Sequence, residues 1–181
     1  NKKQMKIFRF KKKIKILDIS DLKTQKINNI NINLINISEN KKTNLYLENM
    51  FNVAIKLIKS GITKKFINGP INKKNFLQKR FPGITEFISH KFKRKKIAML
   101  IYNKNLAVCP ITTHLPLKFV NKKITKKLIF EKTILINEFF MNNLNFMPNI
   151  AVTGLNPHCE TIDKFSEDNK IISPTIKKLK K

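Results

Sequence analysis

The sequence predicts an α/β domain, and three observations carry that prediction. Stretches with apolar residues at helical spacing alternate with short apolar runs of strand length. Two such runs lead into histidine-bearing loops. Leu106-Ala107-Val108 precedes Cys109-Pro110-Ile111-Thr112-Thr113-His114, and Ile150-Ala151-Val152-Thr153 precedes Gly154-Leu155-Asn156-Pro157-His158. Hydrophobic residues make up 41% of the 181 positions, enough for a real core in one domain of ordinary length. Strands alternating with helices favour a mostly parallel sheet covered on two faces, where ligands collect at the carboxyl ends of strands.

Taken in order, residues 1–13 are too basic to assign. Ile14, Ile16, Leu17 and Ile19 suggest a strand, and the alternation in Ile30-Asn31-Ile32-Asn33-Leu34 suggests a half-buried one within an Asn- and Ile-rich stretch from Thr24 to Lys42. Leu47, Met50, Phe51, Ala54, Leu57 and Ile58 predict a helix from about Asn44 to Ser60, with Thr43 as cap and Gly61 at its stop. Phe66-Ile67 reads as a short strand entering Asn68-Gly69-Pro70-Ile71-Asn72-Lys73, with Pro70 opening a helix through Leu77. After the turn Phe81-Pro82-Gly83, Thr85 is placed to cap a short helix holding Glu86, Phe87 and Ile88.

Residues 97–101 and 106–109 read as strands joined by a hairpin turn at Asn103-Lys104-Asn105. Thr125 should cap a long helix to about Asn142 that buries Leu128, Ile129, Leu135, Ile136, Phe139 and Phe140. Residues 150–153 form another expected strand. Ser166-Glu167-Asp168 opens a last helix, with Ser166 as cap and Pro174 placed to kink it. No repeat or internal linker is apparent. The start at Asn1 and the Lys177-Lys178-Leu179-Lys180-Lys181 ending suit a portion of a longer chain.

The formal charge of +27 raises the possibility of a basic nucleic-acid-binding module. Of the 38 basic residues, however, only Arg9, Arg80 and Arg94 are arginine, and Lys, Asn, Ile and Phe together fill 100 of 181 positions. All four can be encoded by A and T alone. Coding bias therefore explains the lysines without a polyanionic partner, and lysine is a poorer base reader than arginine. Cys109 and Cys159 show no paired spacing, so neither a disulfide framework nor a zinc ribbon is indicated. No apolar run approaches a membrane span and no signal peptide is visible, so a reducing, cytoplasmic setting is expected.

His114 and His158, each beside a proline in a loop, are candidate neutral imidazole ligands for a divalent cation. His90, in a basic run beside Lys91, reads as solvated surface. Thr112 and Thr113 offer hydroxyls but suit strand formation equally well. The Gly69-Pro70 turn could present backbone N–H groups and Lys73 to a phosphate, though it lacks P-loop spacing. Cys159 reads as a small packing residue. No G-x-G-x-x-G and no G-x-S-x-G is present.

Four motifs occur in order: Gly69-Pro70-Ile71-Asn72-Lys73, Pro82-Gly83-Ile84-Thr85-Glu86-Phe87, Thr112-Thr113-His114-Leu115-Pro116-Leu117 and Gly154-Leu155-Asn156-Pro157-His158. Together they resemble the 4-hydroxythreonine-4-phosphate dehydrogenase family of pyridoxal phosphate biosynthesis, over about Asn44 to Lys181. That resemblance implies a three-layer α/β/α fold of the isocitrate/isopropylmalate dehydrogenase kind, incomplete at both ends, working as a homodimer. It implies oxidation of the C3 hydroxyl of 4-phosphooxy-L-threonine by NAD or NADP, followed by loss of CO2. A divalent metal (Zn, Mg or Co) on three histidines would stabilise negative charge on oxygen. His114 and His158 match two of those ligands, and Thr85 matches a substrate-contacting threonine.

Ile84 stands where the family usually has a substrate-binding histidine, and it cannot donate a hydrogen bond. Cys159-Glu160-Thr161-Ile162-Asp163 replaces a small, Gly-rich continuation. The third histidine and most cofactor contacts match nothing here, so the chain corresponds to the family's central portion. A dehydrogenase of another phosphorylated four-carbon hydroxy acid is the alternative within the same chemistry. In either case the expected partner is a small phosphorylated substrate, with no membrane or nucleic acid.

Overall fold

The structure, a computed structural model, describes residues 2–20, 22, 27, 30–38, 43–159 and 165–180. The chain forms two compact units, Asn1–Gln78 and Lys79–Lys181. Gln78 and Lys79, where the units meet in sequence, both adopt left-handed backbone, with φ 49° and 59°.

In the first unit, helix α1 (Lys2–Ile7) precedes strands β1 (Ile14–Leu17) and β2 (Ile32–Ile35). The strands pair in parallel, Ile14 against Ile32 through Leu17 against Ile35. A parallel pair needs a long crossover, and residues 18–31 supply it. Helix α2 (Thr43–Lys59) follows the helical apolar spacing and buries Phe51 and Ile55. Thr43 is its first residue rather than a flanking cap. Gly61, at φ 79°, ends it: the Gly61 amide bonds the Ile58 carbonyl and the Ile62 amide bonds the Leu57 carbonyl. Phe51 stacks on Phe76 at 5.3 Å and meets Phe66 edge-on at 5.5 Å, which ties α2 to the short helix α3 (Lys73–Leu77).

Two expectations fail in this stretch. Phe66-Ile67 forms no strand: Phe66 packs on Phe51 and Ile67 lies 94% exposed. Pro70 does not open α3; Asn72 does, its side-chain oxygen accepting from the Asn75 amide at 3.2 Å. A capping amide oxygen outcompetes the proline because it satisfies a free N–H of the first turn.

The second unit begins with α4 (Ile84–Phe92) and the hairpin β3 (Ile101–Tyr102) and β4 (Ala107–Val108). A 3-10 turn (Leu117–Phe119), α5 (Val120–Lys123), the long α6 (Lys126–Leu144), a π-helical turn (Asp168–Ile172) and α7 (Ser173–Leu179) complete it. Thr125 caps α6 as predicted, its hydroxyl accepting from the Leu128 amide at 3.2 Å. Ser166 likewise accepts from the Asn169 amide at the last helical segment, and the π turn lies immediately before Pro174. The core is Ile124, Ile129 and Ile172, with Ile111, Val120, Val152, Ile171 and Ile176 packed against it. Phe140, near the end of α6, is buried against Tyr102 of the hairpin and Phe146. Phe139, expected inside, is 42% exposed, because the adjacent Phe140 takes the core-facing side of the helix at this point.

The α/β character holds, but among the described residues no mostly parallel sheet forms. The described strands form two separate two-stranded sheets, one parallel and one antiparallel. The three-residue turn Asn103–Asn105, closed by the Asn103 amide on the Leu106 carbonyl, is too short for anything but an antiparallel return. Residues 97–100 and 150–153 join no ladder. Glu160-Thr161-Ile162-Asp163 lie outside the described residues.

Candidate functional site

Helix α4 starts at a backbone cradle. Gly83 is extended (φ −159°, ψ 176°) and is the N-cap, so Thr85 does not cap the helix as expected but sits in its first turn. No side chain caps α4, because a glycine occupies the flanking position. Ile84, the first helical residue, is half-buried. The next two residues, Thr85 and Glu86, reach a small pocket that Ile97, Met99, Thr113, His114 and Lys132 also line.

The pocket therefore brings together two of the predicted site residues, Thr85 and His114. His158 and Ile84 are not among its lining. His114 arrives from a bend following β4, and its backbone is left-handed at φ 57°. The hydroxyl of Thr113 donates to Glu86 Oε1 at 3.4 Å, so Thr113 is more than a strand former. The other Glu86 oxygen, Oε2, is buried and has no partner. A Cβ placed on Gly83 would lie 2.8 Å from Glu86 Oε2 and 3.1 Å from His114 Nε2. The absent side chain at Gly83 is thus what lets the carboxylate and the imidazole approach one another.

Lys132, on α6, donates from Nζ to the Ile97 carbonyl at 2.6 Å, which anchors its ammonium at the pocket wall. Burial pushes the Cys109 thiol above its ordinary pKa, and the positive charge of Lys132 partly opposes that shift.

His158 belongs to a different structure. Asn156 Oδ1 accepts from the His158 amide at 3.0 Å and the Asn156 carbonyl accepts from the Cys159 amide at 3.1 Å, which makes a tight Asx turn. Cys159 is exposed and left-handed (φ 54°), not a core packing residue. It lies over Gly154, where a Cβ would meet Cys159 Sγ at 2.4 Å and Asp168 Oδ1 at 2.8 Å. His90 is exposed, as expected, with its ring 5.2 Å from that of Phe81.

Among the described residues, no three His, Cys, Asp or Glu side chains gather as a metal cluster. The pocket does hold one imidazole of the kind that binds a divalent cation, and beside it a buried carboxylate oxygen that lacks any donor. Glu86 is the functional candidate that sequence reasoning missed. Its signal was faint, a carboxylate at the third helical position beside the Thr85 motif. Among the described residues, no helix is long and apolar enough to cross a membrane.

The chain is 35% identical over 190 aligned residues to the 4-hydroxythreonine-4-phosphate dehydrogenase of Sulfurihydrogenibium sp., with 93% of this chain and 58% of that protein covered. Against the Aquifex aeolicus enzyme of the same name it is 31% identical, covering 92% of this chain and 54% of the relative. The chain therefore spans little more than half the length of these relatives. The crystal structure of 4-hydroxythreonine-4-phosphate dehydrogenase from Klebsiella pneumoniae shares the fold, with a TM-score of 0.74 at 22% identity over 93% of this chain and 56% of that one. The family model described as "Pyridoxal phosphate biosynthetic protein PdxA" matches residues 2–181, and the chain belongs to that family.

Proposed function

We propose that this chain supplies part of the active site of a 4-hydroxythreonine-4-phosphate dehydrogenase. The overall reaction would be NAD- or NADP-dependent, metal-assisted oxidation and decarboxylation of 4-phosphooxy-L-threonine to 3-amino-2-oxopropyl phosphate. The observation that supports it is the meeting of Thr85 and His114 on one pocket, in a chain whose residues 2–181 match the family model.

In this reading Thr85 offers its hydroxyl to the phosphorylated substrate at the start of α4, where the helix dipole also favours negative charge. His114, together with the motif-matched His158, would hold a divalent cation, Zn, Mg or Co. Such a cation would supply Lewis-acid stabilisation of negative charge on oxygen. A bound nicotinamide would accept the hydride from carbon C3 of the substrate, and the proton of the C3 hydroxyl would go to solvent. The resulting β-keto acid then releases CO2. Lys132 keeps its ammonium on the Ile97 carbonyl and lends the pocket positive charge for an anionic substrate. Both units would serve one dehydrogenase chain of three-layer α/β/α architecture, assembled as a homodimer in the cytoplasm.

Ile84 favours a second substrate reading, a different phosphorylated four-carbon hydroxy acid, because it removes a hydrogen-bond donor from the α4 start. The test is calorimetric titration with Co2+ of the wild-type chain, His114→Ala and His158→Ala. Loss of a direct ligand should weaken binding by more than the roughly 10–100-fold typical of outer partners. Unchanged affinity in both variants would remove the metal reading.

A further inference from the structure

We propose that Glu86 is a positioning residue for His114, resting on the reading of His114 as a cation ligand. Its Oε1 oxygen holds the Thr113 hydroxyl, and its Oε2 oxygen receives the His114 Nε2–H. The His114 Nδ1 lone pair is then the one left for a cation.

Three features of the pocket point this way. Glu86 occupies the third position of α4, from which a carboxylate ordinarily folds back onto the N-cap amide to close a capping box. Here it turns instead to Thr113, across 27 residues of sequence, and accepts its hydroxyl at 3.4 Å. The remaining oxygen, Oε2, is buried with no donor, and a buried carboxylate oxygen is stable only when a donor reaches it. Lys132 lines the same pocket, but its ammonium is held on the Ile97 carbonyl and donates nothing to Oε2. The His114 Nε2 atom is the donor at hand: it and Glu86 Oε2 flank the same point in front of Gly83, at 3.1 Å and 2.8 Å from where a Cβ would stand.

The physical consequence follows from imidazole chemistry. A neutral ring carries one proton, and the bond made by one nitrogen decides which nitrogen is left to coordinate. A carboxylate behind a ligating histidine fixes both the tautomer and the ring plane. Thr113 and His114 are adjacent, so one carboxylate bonded to both would lock a loop whose backbone is left-handed at His114.

The experiment uses imidazole 15N chemical shifts of the full chain without metal, at about pH 8.5, where ordinary imidazoles are neutral. With three histidines in the chain, His90→Gln and His158→Gln assign the His114 ring. The wild type should show His114 with its proton on Nε2. Glu86→Gln keeps the shape but leaves one acceptor oxygen for two donors, and Glu86→Ala leaves none. Both variants should shift population toward the Nδ1–H form, and both should weaken Co2+ binding about 10–100-fold with helix content by circular dichroism unchanged. Thr113→Val, which frees Oε1 without touching Oε2, should produce a smaller change in the same direction.

A wild-type His114 protonated on Nδ1, or a tautomer population identical in wild type and Glu86→Ala, overturns the proposal. The tautomer measurement needs no metal. It therefore decides the role of Glu86 even if His114→Ala proves to leave Co2+ affinity untouched, an outcome that would count against the ligand reading alone.

Discussion

The loops bearing His114 and His158 both leave the isoleucine cluster of the second unit, one just after Ile111 and the other just after Val152, yet they are held in opposite ways. The His158 loop holds itself. Asn156 bonds the His158 and Cys159 amides, and Cys159 covers Gly154, contacts that all join near neighbours in sequence. The His114 loop is held from a distance, by Glu86 on α4 through Thr113. A self-contained turn can move as a unit without losing its internal bonds. A tethered one transmits any disturbance of α4 directly to its imidazole.

The strongest way to break this contrast is to remove the shared root. Ile129, 1% exposed, should cost about 2–5 kcal/mol when cut to alanine, and amide exchange should quicken in both loops together. Protection lost in one loop alone would mean that they do not share a foundation.

Gly154→Ala should sharpen the contrast, since the added methyl collides with Cys159 Sγ and the Asp168 carboxylate. A loss of about 1–3 kcal/mol is expected, with perturbation confined to the His158 loop. Cys159→Ala in that background should return part of the loss in urea denaturation, and no recovery would place the clash on Asp168 instead. The smallest effect concerns the two thiols. Exposed Cys159 should be alkylated well before half-buried Cys109, whose ionisation burial pushes upward, as peptide mapping after brief iodoacetamide treatment would show. Because the unfolded Cys109 thiol ionises first, its contribution to stability is complete below the ordinary thiol range. That contribution fades as pH rises through that range toward the raised folded value. Cys109→Ala should flatten that alkaline decline in thermal midpoint.

Much of this arrangement was legible in the residues, and the remainder was hidden for physical reasons. Helices α2 and α6 were visible because apolar spacing and Thr125 capping are local signals, and the hairpin because Asn103-Lys104-Asn105 is a turn at close range. Thr85 and His114 could be named from their motifs. Their convergence could not, since it depends on contacts between α4 and a loop well downstream. Glu86 looked like an ordinary first-turn acid, and nothing local distinguishes one that reaches Thr113 from one that caps its own helix. The strands expected at 66–67 and 150–153 failed because a short apolar run states an affinity for burial but not a ladder partner. Helix α1, in a stretch too basic to read, carried no apolar pattern to announce it.

The left-handed backbone at His114 restricts how this site could be re-engineered. At φ 57° a side chain branched at Cβ is strongly disfavoured, whereas Asn and Asp tolerate the conformation. On the proposed reading of His114 as a cation ligand, exchanging the imidazole for a harder oxygen donor, to favour magnesium over softer ions, is therefore open through aspartate and closed through threonine.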